Sequence, residues 1–102
     1  MSADLDDAFR TTTRLRICAF LSGCDDAEFR AVQDACQLTP SALSKNVASL
    51  EESGYVAVVK GHVGKMPRTW LSLTPRGRAA FTGHVAALQE IVGPAARQAH
   101  PG

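Results

Sequence analysis

The chain has 102 residues, a formal net charge of +1 and 45% hydrophobic residues, which suits one domain with a modest core. No run of about 18 apolar residues is present to span a bilayer, and Asp4, Asp6 and Asp7 stand where a signal peptide needs cations and an apolar stretch, so a cytoplasmic protein is expected. Three cysteines (Cys18, Cys24, Cys36), an odd count without framework spacing, fit reduced thiols better than disulfides.

The small net charge hides an asymmetry. Residues 1–36 carry seven acids against four arginines, whereas residues 37–78 carry Lys45, Lys60, Lys65, Arg68, Arg76 and Arg78 against only Glu51 and Glu52. A local cationic excess of this kind fits a polyanionic partner and a solvated surface equally well, and the whole-chain charge gives no nucleic-acid signal.

In chain order, Leu5 to Arg10 reads as a short helical lead-in interrupted by the threonines at 11–13, which are weak helix formers but good caps. A first helix is expected over Thr13–Ser22, with Leu15, Ile17, Cys18, Phe20 and Leu21 on its apolar side and Gly23 as its stop. A second is expected from about Asp26 to Cys36, capped by Asp25 or Asp26, with Phe29, Val32 and Cys36 at helical spacing.

The third helix has the cleanest start. Thr39 is a natural N-cap, and Pro40 fits the first helical position because its N–H would be unpaired there anyway. Leu43, Val47 and Leu50 form the buried stripe, and Ser53-Gly54 closes the helix. At about 100° per residue, Ser41, Lys45, Ala48, Ser49 and Glu52 point away from that stripe, with Ser44 on the flank.

A strand over Tyr55–Lys60 and a second over Thr69–Leu73 follow, joined by the loop Gly61–Arg68. That loop looks too long for a tight hairpin turn, and Pro67 looks set to stop the ladder. Thr74-Pro75 repeats the cap-plus-proline signal and starts a last helix to about Val92, which Gly93-Pro94 should end. The expected division is therefore a domain over 1–93 and a flexible tail over 94–102. The order helix, helix, helix, strand, wing, strand, helix defines a mainly α fold with a small β-hairpin: a winged helix-turn-helix.

Three stretches carry a family resemblance: Leu43-Ser44-Lys45-Asn46-Val47, then Leu50-Glu51-Glu52-Ser53-Gly54-Tyr55-Val56, then Arg68 through Phe81 with Leu73-Thr74-Pro75-Arg76-Gly77 at its centre. With these the chain resembles small stand-alone winged-helix transcriptional regulators related to the MarR and ArsR groups, over roughly Leu15 to Leu88. The resemblance implies a third helix in the major groove, a wing on the backbone or minor groove, and terminal helices that dimerise. Many relatives carry His at the position of Asn46 and a longer polar residue at that of Ala48, so base preference does not carry over at either.

The candidate DNA-binding residues are Thr39, Ser41, Ser44, Lys45, Asn46 and Ser49 on the third helix and Lys60, His62, Lys65 and Arg68 on the wing. Short polar side chains let a helix approach base edges and phosphates, and wing cations neutralise phosphate without reading sequence. Asn46 leans toward the protein body, and Arg68 has a second option in Glu51 or Glu52. Leu5, Phe9, Phe81, Val85, Leu88, Ile91 and Val92 form the candidate homodimer surface, because the last helix is longer than one domain's core requires.

The cysteines and His62, His84 and His100 form no Cys-x-x-Cys or His-x-x-x-His pair, so no metal or cofactor is expected. Cys24 lies beside Asp25 and Asp26, which disfavour its thiolate. No nucleophile elbow, phosphate loop or convergent acid–base set points to an enzyme. The expected function is a dimeric, sequence-specific regulator on duplex DNA with a pseudo-palindromic operator. Two alternatives stay open here: a winged helix used as a protein–protein adaptor, and a DNA-binding regulator that answers a small-molecule effector or a metal.

Overall fold

The computed structural model describes residues 5–99, with side-chain surroundings given up to Gly93. Asp4, His100 and the end of the expected tail lie outside the described residues. The lead-in is a single 3-10 turn, Asp7–Phe9, capped by Asp6, whose carboxylate accepts from the Ala8 N–H at 2.9 Å. Helix α1 (Thr12–Ser22) is capped by Thr11, and α2 spans Phe29–Cys36. Helix α3 (Pro40–Glu52) begins as its sequence dictates, with Thr39 Oγ1 accepting from the Ala42 N–H at 3.1 Å.

Between α1 and α2 the structure departs from expectation. Ala27–Glu28 is a short strand, β1, so the Asp25-Asp26 signal does not start the helix, and the N-cap position falls to Glu28 without a side-chain hydrogen bond. Strands β2 (Val56–Val63) and β3 (Met66–Leu73) form an antiparallel hairpin, and β1 pairs with the far edge of β3, giving the order β1-β3-β2.

The wing is a ladder rather than a loop. Val63 pairs with Met66 across a two-residue turn, Gly64-Lys65, with Gly64 at φ 62°. Glycine at positive φ in the first central position is the signature of a type II′ turn, whose twist matches its strands. Pro67 does not stop the ladder for a geometric reason. The residues flanking such a turn exchange hydrogen bonds, so the next pair, His62 and Pro67, is a non-hydrogen-bonded one, and the missing N–H would have pointed outward.

Helix α4 runs Pro75–Ala99, through Gly93-Pro94 rather than ending there. Pro94 removes one bond to the Glu90 carbonyl, and Glu90 is exposed enough for water to replace it. The core joins Ile17, Cys18 and Leu21 of α1, Val32 and Cys36 of α2, Leu43, Val47 and Leu50 of α3, and Val56, Leu71 and Leu73 of the sheet. Burial pushes the Cys18 thiol up to about 12, with Cys36 adding to the effect, so it stays protonated and inert.

Phe9 is a core residue. It is 2% exposed and packs on Tyr55 at 5.5 Å, His84 at 5.2 Å and Phe81 at 5.7 Å between ring centroids. A network holds it there: Tyr55 donates its hydroxyl to Asp6 Oδ2 at 2.5 Å, and the Asp6 N–H donates to His84 Nδ1 at 2.9 Å. The bond to Asp6 raises the Tyr55 pKa, with desolvation and the Asp6 charge adding and Arg76 opposing.

Thr74 stitches the hairpin to α4. Its hydroxyl donates to the Gly54 carbonyl at 2.7 Å and accepts from the Gly77 N–H at 2.9 Å. Thr74→Ala is expected to destabilise the fold by about 1–2 kcal/mol, because a cap and a half-buried acceptor lose their partner together. Urea melts at fixed protein concentration check this.

Candidate nucleic-acid interface

The third helix and the hairpin meet at a cleft of about 420 Å³. Its floor is apolar, from Phe29, Val47, Val58 and Leu71; Ser44, Ala48 and Glu51 form the α3 wall and Lys60 and Thr69 the wing wall. The strand period explains the wing wall: Lys60 and Thr69 are register partners on the same face as Val58 and Leu71, so the sheet leaves the core along that face and ends in one cation and one hydroxyl.

On α3 the exposed face reads Ser41, Ser44, Lys45, Ala48, Glu51, Glu52. Its N-terminal half holds the hydroxyls and the one cation, and its C-terminal half is acidic. The helix dipole adds a partial positive charge to the same N-terminal end, where Thr39 is exposed. An anionic ligand is therefore drawn to the start of α3 and repelled from its end.

Asn46 and Ser49 stand apart from this face. Asn46 is half-buried, donates to the Ala42 carbonyl at 2.8 Å and accepts from Arg14 Nε at 3.4 Å, which ties α3 to α1. Ser49 is half-buried on the opposite flank from the cleft. Lys60, His62 and Lys65 are exposed along the wing. Arg68 pairs with neither Glu51 nor Glu52; its Nε lies 3.7 Å from Glu28 Oε1. The reason is strand β1, which places Glu28 opposite Trp70 on the same sheet face as Arg68. At that distance the contact is an ion pair without a hydrogen bond, and Nε is left unpaired.

The other two cations of the basic segment are used within the fold. Arg78 donates to the Ser22 and Cys24 carbonyls, both at 3.0 Å, closing the end of α1, and the Arg76 guanidinium sits 5.8 Å from the Tyr55 ring centre. Sequence reasoning missed Arg30. It is exposed at the start of α2 and shares a cleft with Pro67, Arg68 and Thr69, so it adds a cation to the wing side of the interface. The pairing of β1 with β3 brings it there.

Of the expected dimer residues, Leu5 is 52% exposed, Ile91 61% and Val92 56%, while Val85 and Leu88 are half-buried and Phe81 packs against the core. Among the described residues no group of three His, Cys, Asp or Glu side chains could hold a metal ion, and no helix is long and apolar enough to cross a membrane.

Three helices, a hairpin wing and an open polar face at the start of the third helix define a winged helix-turn-helix module. Comparison with known proteins agrees. The model of the winged helix DNA-binding domain family matches residues 13–92, and the chain belongs to that family. An uncharacterized protein of Methanocaldococcus jannaschii is 30% identical over 77 residues, covering 76% of this chain and 84% of its own. The structure of a transcriptional regulator homologue from Pyrococcus horikoshii OT3 matches with a TM-score of 0.80 and 26% identity, over 86% of this chain and 87% of that one. A zinc-responsive MarR family member from Lactococcus lactis shares the fold, with a TM-score of 0.65 and 16% identity over 91% of this chain and 63% of that one. The chain is thus a small winged helix DNA-binding domain, a family of DNA binders rather than of enzymes, and it shares its fold with the MarR family member.

Proposed function

We propose that the chain acts in the cytoplasm as a homodimer on duplex DNA. The start of α3 enters the major groove, and the wing follows the backbone toward the minor groove. The observation that carries this reading is the polar edge of the cleft: Ser44 lines it across from Lys60 on the wing, Lys45 is exposed next to Ser44 on α3, and Arg30 shares a second cleft with Arg68. In this reading Thr39, Ser41, Ser44, Lys45, Lys60, His62, Lys65 and Arg68 make the contacts, with Arg30 added. Asn46 acts by holding α3 against α1, and Ser49 is peripheral. The Arg68–Glu28 pair supports a phosphate contact, because a half-exposed pair of this kind is worth only about 0–1 kcal/mol and Arg68 can exchange it for phosphate.

Two copies are needed because few cations face the DNA. The exposed Leu5, Ile91 and Val92, continuous with Val85 and Leu88 along α4, are the surface that joins them. A two-fold dimer places its α3 helices in successive major grooves, so the operator is a pseudo-palindrome with half-sites about 10 base pairs apart. Selection of bound duplexes from a random pool, followed by a salt titration, tests the reading. A monomer at micromolar concentration with no salt-dependent binding would sink it.

Ile91→Glu is expected to leave the fold intact and dissociate the dimer at micromolar concentration, since it buries an unpaired charge in an apolar contact. Sedimentation velocity measures this, and an unchanged dimer would move the interface elsewhere.

A further inference from the structure

The wing's outer face is unusual for a solvent-exposed ribbon. Val59 and Trp70, Gly61 and Arg68, and Val63 and Met66 are register partners on the face away from α3. A Cβ on Gly61 would meet the Trp70 ring at 3.1 Å, so that ring covers the glycine and braces the ribbon from its base. At the tip nothing covers the apolar pair: Val63 is 54% and Met66 59% exposed. Directly opposed residues bring their Cβ atoms within about 5 Å, so the two form one apolar point. The Gly64-Lys65 turn makes that point narrow and sets an exposed cation beside it.

We propose that this tip is a wedge for the minor groove, with Met66 entering between two base pairs and Val63 filling the gap it opens. The proposal rests on the DNA-binding reading above. Charge selects the occupant: from Val56 to Leu73 the ribbon carries Lys60, Lys65 and Arg68 and no acid, which suits a polyanion. Size agrees, since a minor groove about 6 Å wide admits side chains but not a two-stranded ribbon. Apolar side chains wedged between base steps unstack them and kink the duplex away from the protein. The wedge therefore adds a preference for easily unstacked pyrimidine–purine steps at the flank of each half-site, without any base-edge hydrogen bond from the wing.

The test uses the full chain and the tightest duplex selected from a random pool, with 2-aminopurine placed step by step along its flanks and a dye pair at its ends. Wild-type protein should brighten 2-aminopurine at one flanking step and shorten the end-to-end distance. Met66→Ala should abolish both signals and weaken binding about tenfold, with an unchanged thermal melt, and Met66→Leu should restore them. Salt-dependent binding by wild type without brightening at any flank step, or equal deformation by Met66→Ala, overturns the wedge and leaves the DNA reading standing. Normal DNA affinity and deformation with a changed oligomeric state in Met66→Ala overturns it in favour of a protein contact at the tip. Failure of wild type to bind any duplex overturns both readings.

Discussion

Lys45→Glu is expected to weaken operator binding by about a hundredfold or more while leaving the melting temperature almost unmoved. Lys45 is exposed in the N-terminal half of α3, the only cation on a helix whose other charges are Glu51 and Glu52. In the proposed dimer, reversal turns that whole face acidic in both copies. It also removes a donor that can reach guanine or phosphate, for which a good contact is worth about 1–3 kcal/mol. The slope of log affinity against log salt should fall by about two per dimer, one for each lost phosphate-level charge. Fluorescence anisotropy across a salt series measures both effects. Folding is spared because the Lys45 side chain is exposed and takes no part in the core. Unchanged binding would take α3 out of the groove and favour an adaptor role for the fold.

The third helix was legible because its signals are local. A threonine cap, a proline at the first position, a stripe of Leu43, Val47 and Leu50, and a glycine at positive φ each act within a few residues, and all four were in place. What escaped was non-local. Strand β1 exists only because Ala27 and Glu28 meet Leu71 and Trp70 far along the chain, and its own two residues carry no strand signal. Its absence from the sequence reading sent Arg68 to the wrong carboxylate and hid Arg30. Phe9 failed for a related reason: a short amphipathic lead-in looks the same whether it faces a second copy or its own core. Only the ring contacts with Tyr55, Phe81 and His84 decide. The wing was misjudged in the opposite sense, since three turn formers in eight residues, Gly61, Gly64 and Pro67, obscured which one starts the turn. The cleft joining α3 to the wing is tertiary and had no sequence signal at all.

Gly77→Ala should have the largest effect on stability, and with the opposite sign to helix propensity. Replacing glycine by alanine inside a helix ordinarily gains about 1 kcal/mol. Here the added Cβ would lie 2.8 Å from both the carbonyl carbon and the Cα of Tyr55, and closer still to its oxygen. Tyr55 cannot give way. Its N–H closes α3 by donating to the Leu50 carbonyl at 3.0 Å, next to Gly54 at φ 82°, and its own carbonyl accepts from the Thr74 N–H at 3.0 Å. The end of α3, the start of β2 and the first turn of α4 are thus held at one point, with no flexible side chain to move. With contacts this short the cost of overpacking against fixed backbone lies at or above the top of the usual range, about 3 kcal/mol or more. After the propensity gain, a net loss of about 2 kcal/mol or more is expected, a drop of roughly 10–15 °C for a domain of this size. Gly83 lies in the same helix with nothing within 4 Å of an added Cβ, so Gly83→Ala should instead stabilise by about 0.5–1 kcal/mol. Melts of both variants at one protein concentration separate backbone contact from helix propensity. Equal shifts of the same sign would refute the contact. If Gly77→Ala also loosens the proposed dimer, the cause lies in α4, which leaves this junction carrying Leu88, Ile91 and Val92.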